Sequence, residues 1–572
     1  MNVVQIAWHS ILYRRLGSLL TVISMALGVM LVVAVLTVYG LISEFFRNNS
    51  SFGYNILLGA RGSPLQLVLN SVFYLSKPIE TIPYDYYLAF CEQPKREREM
   101  RNSIAYRSLE ERQRAEGLLA ACAQTPGGGW GFAAQVLSAD ALRQQQLDFM
   151  RIGRTGMFAP YVEIAIPILM GDYWVDPRSE DNYRVCATNK DFFEHLVLNL
   201  DTDERFRLAA GRFFDDDDAE VGFYGGVVGG IVARRSGLQV GDRIQITHGV
   251  PSESSSHLHQ QPFVVLGILE LTGTPHDRVV FVNMEGFFLI DDHINPLFEQ
   301  SMAEAAPIPG LILGPRPRPG ETEALNLRDP ELLNRIPLPM EHRELTAVLI
   351  KAGAGDQEGA DPFAGDLFAY AMPKQIEQAG MESLRRWSPF NPVRAQTSVQ
   401  AVNPVIEVTA LLSTIDPARW LLLGLTFMIC IVSGVSILVG MYNSMTQRRH
   451  EIAVMRALGA RRSQVMSIVL VESLLLAVAG GMLGWIAGHV LNAALSPLIE
   501  SYAGIRIGLF DFAPAEPIFY WLPGNIFPAN LVQFQVSPEL LVIPALMALA
   551  VVVGTFPAIS AYRTDVSQSL GK

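Results

Sequence analysis

Long uncharged runs punctuate the chain, and between the first two lies a stretch of ordinary polar and apolar alternation. Residues 16–43 hold 28 positions without Asp, Glu, Lys or Arg, and residues 420–447 hold 28 more. Ser473–Ile499 gives 27 positions whose only titratable side chain is His489, and Leu540–Tyr562 gives 23. A helix crossing a bilayer needs roughly 20 mostly apolar residues and tolerates few ionised groups at its centre. The pattern therefore predicts four transmembrane helices, at 16–43, 420–446, 463–499 and 539–562, with a short amphipathic helix over 1–15 leading into the first. The apolar core of that first run is too long for a cleaved secretory signal and no small-residue cleavage site follows it, so it reads as an uncleaved anchor.

Between the first two runs the period changes. YVEIAIPIL, GDRIQITHGV, QPFVVLGILE and RVVFVN, spread over 158–290 and separated by Gly, Pro and Asp, read as strands. Residues 86–150 are charged, Gln-rich and poor in β-branched side chains, which predicts helices broken by the glycines at 127–129. PIPGLILGPRPRP at 307–319 and KAGAGDQEGADPFAGD at 351–366 read as linkers or excursions. The expected fold is an integral membrane α-helical protein with a large extracytoplasmic α+β domain at 44–418, between helices 1 and 2. That domain carries insertions near 86–150 and 303–395. A smaller outer loop at 500–538 contains Tyr520 and Trp521 among prolines, the composition of an interfacial aromatic belt.

Charge fixes the expected orientation. The N-terminus (Arg14, Arg15), the segment 447–462 (Arg448, Arg449, Arg456, Arg461, Arg462) and the tail 563–572 (Arg563, Lys572) hold nine basic residues against Glu451 and Asp565. Basic short segments stay in the cytoplasm, so both termini are expected there. Residues 43–418 hold 33 Lys or Arg against 49 Asp or Glu, a net charge of −16 that accounts for the −12 of the 572-residue chain. Half the residues are hydrophobic, 17% are charged and mean hydropathy is +0.24, which excludes an ordinary soluble enzyme. The acidity excludes a basic nucleic-acid footprint. Cys91, Cys122, Cys186 and Cys430 show no C-x-x-C spacing.

Enzyme chemistry finds little support. G-x-x-x-x-G-K-[ST], G-x-S-x-G and H-E-x-x-H are absent, so this sequence builds no phosphate-cradling ATPase loop and no familiar hydrolase site. The run Asp215–Asp218 offers hard oxygen ligands but reads as a solvated turn opening a strand. His257 and His259, in SSSHLHQQP, hint at a metal but read as a flexible loop for want of a supporting ligand nearby. GFYGGVVGG at 222–230 lacks dinucleotide-loop spacing, and its glycines are expected to serve turns or close packing. Glu472, on the third apolar run, is costly to bury and is expected to be paired, protonated or at the interface.

After the second run comes QRRHEIAVMRALGARRSQVMSIVLVESLLLAVAGGMLGWIAG at 447–488. This stretch resembles the most characteristic segment of the FtsX/MacB-like ABC transporter permeases, in which a basic pair, Glu-Ile, a helix ending Leu-Gly-Ala and a second basic pair precede a membrane helix with a glutamate and a glycine run. Arg448, Arg449, Glu451, Ile452, Arg456, Ala457, Leu458, Gly459, Ala460, Arg461, Glu472 and Gly480 fit that pattern. AWHSILYRRLGSLLTVISMALGV, AISAYRTDVSQSL, GRFFDDDDAEV and IVARRSGLQVGDRIQI resemble other parts of the family, although Gln568 stands where Glu is more usual.

The resemblance implies a permease subunit without enzymatic activity of its own, binding no cofactor, in a bacterial inner membrane. ATP and Mg²⁺ would sit on a separate ABC ATPase dimer, and a second permease protomer would complete the complex. Contacts would extend to membrane lipid and to a periplasmic adaptor or a lipoprotein. The implied mechanism is mechanotransmission, in which motion of the ATPases reaches the outer domain for export or extraction of a lipoprotein, lipid or hydrophobic compound. An FtsX-like signal transducer that activates a cell-wall hydrolase is the alternative. In either case 447–462 is the expected coupling element, with Ile452, Met455 and Leu458 as its apolar stripe and Arg449, Arg456 and Arg461 as its charges. Gly459 suits the left-handed helix terminus. Gly480, Gly484 and Gly488 recur every four residues on one helix face, a spacing that lets two membrane helices approach closely.

Overall fold

The computed structural model describes residues 3–13, 15–76, 80–101, 155–179, 181–199, 202–248, 257–290, 338, 340–353, 399–447, 454–456, 459–503, 505–517 and 535–562. The chain divides into two units: Met1–Arg47 with Ala410–Lys572, and Asn48–Thr409. The first is the membrane unit. Its helices are α1 (Val3–Tyr13), α2 (Arg15–Asn48), α3 (Pro404–Gln447, shared with the outer unit at its start), α4 (Arg462–Ala503) and α5 (Val542–Tyr562). Among the described residues, Arg15–Asn48, Arg462–Glu500 and Pro538–Ile559 are long and apolar enough to cross a membrane. Met25, Val29 and Val33 of α2 pack with Val465, Val469 and Ala477 of α4 and with Leu546, Ala550 and Ala558 of α5.

The outer boundaries differ from the expected 44–418. α3 begins at Pro404, well before the uncharged run at 420, because a complete start signal lies there. The Asn403 side chain accepts from the backbone N–H groups of Val405 and Ile406, and proline occupies the first helical position, where its missing N–H costs nothing. Hydropathy marks the apolar part of a helix, whereas capping marks its end.

The outer unit is built on one sheet of ten strands. They are β1 (Ile56–Ala60), β3 (Val162–Val175), β4 (Asn182–Thr188), β5 (Leu208–Gly211), β6 (Gly225–Val228), β7 (Arg243–His248), β8 (His257–Leu269), β9 (Val279–Asn283), β11 (Ala347–Ala352) and β12 (Val399–Val402). β2 (Ile82–Pro83) pairs with β10 (Glu344–Leu345) in a separate ribbon, and β13 (Glu516–Pro517) pairs with β14 (Gln535–Val536) in the membrane unit. The main sheet runs β12-β1-β11-β3-β4-β9-β6-β8-β5, and β7 bonds both β8 and β3. Six strands, β3-β4-β9-β6-β8-β7, therefore close on themselves. The four strand-like runs of the sequence correspond to β3, β7, β8 and β9.

Two expectations are corrected here. His257 and His259 lie on β8, whose 13 residues include both, and not in a loop. Their polar neighbours hid the start of a strand that pairs back on β7 just before it in the chain. Asp218 is buried and not solvated. Its carboxylate accepts from Arg212 and from the N–H groups of Glu220 and Val221, which hold it down at about 2. Asn283 ties the same turn to β9 through the carbonyls of Asp215 and Asp216, each at 3.0 Å. The glycines of 222–230 serve packing: a Cβ on Gly229 would lie 2.5 Å from the carbonyl oxygens of His276 and Asp277. Of 86–150, residues 86–88 and 93–101 are helical, and 102–150, 303–337 and the aromatic pair Tyr520 and Trp521 lie outside the described residues.

Candidate functional site

In the segment expected to couple with a partner, the described residues form a tight turn feeding α4. Arg448, Arg449, Glu451, Ile452 and Leu458 lie outside the described residues, while Val454–Arg456 are helical. Gly459 has φ +101°, its N–H donates to the carbonyl of Arg456 at 3.1 Å, and Ala460 N–H donates to Met455 at 3.0 Å. This pair of bonds, with a left-handed residue at the corner, is a Schellman termination. The chain then restarts at once: the Arg461 N–H donates to Gln464 Oε1 at 2.8 Å, and the N–H groups of Gln464 and Val465 donate back to the Arg461 carbonyl. That reciprocity between cap and third residue is half a capping box. Two helices are thereby joined with little slack.

Of the expected stripe, Met455 alone lies among the described residues. Met455 is half-buried and packs against the core formed by α2, α4 and α5. Among the described residues of this turn Val454 is an exposed apolar one, with Gly459 and Arg461 exposed beside it and Arg456 half-buried.

Gly480, Gly484 and Gly488 are all buried and face α2. A Cβ on Gly480 would lie 2.8 Å from Met25 Cβ, on Gly484 2.5 Å from the Ala26 carbonyl oxygen, and on Gly488 2.8 Å from Val33 Cβ. Each is closer than real side-chain carbons come, so α2 and α4 touch backbone to backbone along this face. Gly481, one position round, faces Ile543 and Leu546 of α5 at ordinary contact, 3.5 Å or more. Glu472 is buried within the bundle, 7% exposed, next to the fully buried Ser473, which meets Gly554 of α5.

A polar knot beyond the glycine face escaped the sequence reading. Thr37 of α2 donates to Glu539 Oε2 at 2.9 Å, and His489 Nε2 of α4 stands 3.6 Å from the same oxygen. His489 is edge-on to Trp485 at 4.6 Å and to Phe512 at 5.5 Å. Asn492, one turn along α4, is fully buried, and neither atom of its side-chain amide meets a hydrogen-bond partner among the described residues. Glu539 had been invisible because it precedes the apolar run instead of interrupting it. An apolar groove of about 630 Å³ lies between Leu20, Thr21 and Ser24 of α2 and Ile431, Val432, Val435 and Val439 of α3.

Comparison with known proteins places these features. The family described as MacB-like periplasmic core domain matches residues 18–307, half of the chain, and the FtsX-like permease C-terminal family matches 423–566. The chain is similar to the macrolide export ATP-binding/permease protein MacB of Escherichia coli, 30% identical over 102 residues, covering 17% of this chain and 15% of that protein. It is also similar to the uncharacterized ABC transporter permease YknZ of Bacillus subtilis, 32% identical over 113 residues, covering 18% of this chain and 28% of that protein. The matched part is thus 15% of the one relative's length and 28% of the other's. Among solved structures, the periplasmic region of MacB from Actinobacillus actinomycetemcomitans aligns over 45% of this chain and 77% of that one, with 10% identity and a TM-score of 0.21.

Proposed function

The chain belongs to the family of FtsX-like and MacB-like permeases, the membrane components of bacterial ABC transporters, and from that premise we propose that it transmits the motion of a separate ATPase to its outer unit. In this reading α3 supplies a fourth span beside α2, α4 and α5, both termini lie in the cytoplasm, and the membrane is the bacterial inner membrane. Two ATPase subunits carry ATP and Mg²⁺, and a second permease protomer completes the complex. The observation that carries the proposal is the junction at Val454–Gln464, where a Schellman termination abuts a helix cap. A turn so constrained passes a push on its exposed Val454 and Arg461 into α4 without first absorbing it as bending.

From α4 the displacement reaches α2 along the glycine face and α5 through Ser473 and Gly554. Close-packed interfaces resist gradual deformation and shift as units, which is what such a relay needs. The work is then done on a substrate outside the membrane, a lipoprotein, lipid or hydrophobic compound, as the export named for the MacB relatives supports. Purification from native membranes in mild detergent tests the reading. An ATP-hydrolysing subunit should accompany the wild-type chain and be lost from Val454→Asp with membrane insertion intact. Isolation of the wild-type complex with no such subunit overturns it.

A further inference from the structure

The six closing strands of the outer unit meet where β7 reaches β3, a junction held by little backbone pairing. The thin side is β3–β7, a single register pair of Tyr173 with Thr247, whereas β7 joins β8 through five pairs that end in Thr247 with Leu258 and His248 with His257. Register shifts fall beside this point on both sides, between Met170 and Tyr173 and between Gln245 and Thr247. Such irregularities redirect side chains and recur next to functional sites. Here they bring together three groups from three strands: Asp172 of β3, His248 at the end of β7 and His259 of β8.

Their geometry is specific. His248 Nδ1 lies 3.3 Å from Asp172 Oδ1 and His259 Nε2 lies 3.2 Å from Oδ2, with the imidazole rings 5.7 Å apart and nearly perpendicular. One ligand atom from each residue falls within 4.8 Å of the others. Charge-assisted N–H···O⁻ bonds close to about 2.7–2.9 Å. Metal–nitrogen bonds of about 2.0–2.1 Å in a tetrahedron instead hold neighbouring ligand atoms roughly 3.3 Å apart. His259 Nε2 and Asp172 Oδ2 are hydrogen-bonded at 3.2 Å in this structure, and an ion held by the carboxylate and both imidazoles would take the place of that bond with little movement of the three side chains.

We propose that Asp172, His248 and His259 bind a divalent transition-metal ion of the Zn²⁺ class and so fasten the seam between β3, β7 and β8. Two imidazoles and one carboxylate are borderline-soft donors suited to Zn²⁺, Ni²⁺ or Cu²⁺ and poorly suited to Ca²⁺ or Mg²⁺, which take oxygen ligands. The side chains of Asp172 and His259 are 2% and 0% exposed, whereas that of His248 is 45% exposed. Two ligands are fixed inside and the third stands at the rim, leaving an entry path and a coordination position for water. Arg184, paired with Tyr173 across β4 and lying over its ring, acts electrostatically on Asp172 and lowers the site's affinity for a cation without occupying it. A second cluster, Asp191, Glu194 and His195, is not of this kind, because Lys95 and Lys190 already neutralise it at the surface.

The test uses the full-length chain in detergent, stripped with chelator and titrated with Co²⁺ and then Zn²⁺. The wild type should take up one Co²⁺ with the intense visible absorption of a tetrahedral site, and Zn²⁺ should displace it. His248→Ala, a half-exposed strand-end change that leaves the core intact, should weaken binding by at least about tenfold. Zn²⁺ should also shield His248 of the wild type from acylation by diethyl pyrocarbonate, read by peptide mass, which requires no variant. Absence of tetrahedral Co²⁺ absorption, equal affinity in His248→Ala, or equal acylation of His248 with and without Zn²⁺ overturns the proposal.

Discussion

The hydroxyl of Thr37 donates a 2.9 Å hydrogen bond to the carboxylate of Glu539, joining residues 502 positions apart across two membrane helices. Thr37 is fully buried, as is Glu539, so neither group has water to fall back on. Interhelical hydrogen bonds in bilayers contribute about 0.6 kcal/mol on average and up to about 1.7. A double-mutant cycle on Thr37→Val and Glu539→Gln, read by reversible unfolding in detergent, should show coupling in that range. Strict additivity of the two single changes would mean that the contact stabilises nothing.

The glycine face makes a sharper contrast. Any side chain at Gly484 meets the Ala26 carbonyl at 2.5 Å, backbone that cannot step aside, whereas one at Gly481 meets flexible ends of Ile543 and Leu546 at 3.5 Å or more. Gly484→Ala should therefore destabilise the chain by about 1–3 kcal/mol, the usual cost of overpacking, and Gly481→Ala should be near neutral. Thermal unfolding in one detergent checks both. Equal midpoints for the two variants would show that α2 and α4 do not rely on this close approach.

Much of this arrangement is written in the chain. The 28-residue uncharged runs locate membrane helices because hydrocarbon penalises charge wherever it sits, and four-residue glycine spacing locates a helix face because the α-helix repeats every 3.6 residues. The strands β3 and β9 were legible from β-branched runs. The Asp172, His248 and His259 cluster was not, since its carboxylate lies 76 and 87 residues away from the histidines and only sheet closure unites them.

In the outer unit, Arg343 is fully buried between two carboxylates, Glu285 at 2.6 Å and Glu99 at 3.3 Å, under the rings of Tyr84 and Phe288. Burial pushes Glu285 up to about 7 from 4.5; Arg343 opposes that shift and Glu99 adds to it. A carboxyl whose pKa is higher folded than unfolded binds more protons in the folded state between those values. The stability it contributes is therefore present below pH ~4.5 and lost as pH rises through ~7. The full swing is at most about 3 kcal/mol, less for a side chain still 18% exposed. Denaturant unfolding of the full chain from pH 4.5 to 8 should show this loss, and Glu285→Gln should flatten it. Glu99→Gln should move the loss to lower pH by removing the repelling charge. A wild-type profile indistinguishable from that of Glu285→Gln would show that the carboxylate ionises as freely folded as unfolded.

The coupling junction depends on Gly459 for conformation alone. Its φ of +101° is costly for any L side chain, yet nothing lies within 4 Å of where a Cβ would stand. Substitution there strains the backbone by about 1–2 kcal/mol without a clash. The strain is relieved by abandoning the bonds from Gly459 and Ala460 to Arg456 and Met455, which lets the turn swing relative to α4. Asn tolerates left-handed backbone better than other non-glycine residues, and β-branched Val tolerates it worst. If the junction transmits force, insertion and expression should hold in all variants while retention of the ATP-hydrolysing subunit and its coupled turnover fall in the order Gly459, Asn, Val. Pull-down from native membranes followed by an ATP-hydrolysis assay measures both. Equal retention and turnover for Gly459→Val and the wild type would show that the rigid corner does not carry the stroke, since strain without a clash can act on function only through the geometry of this turn.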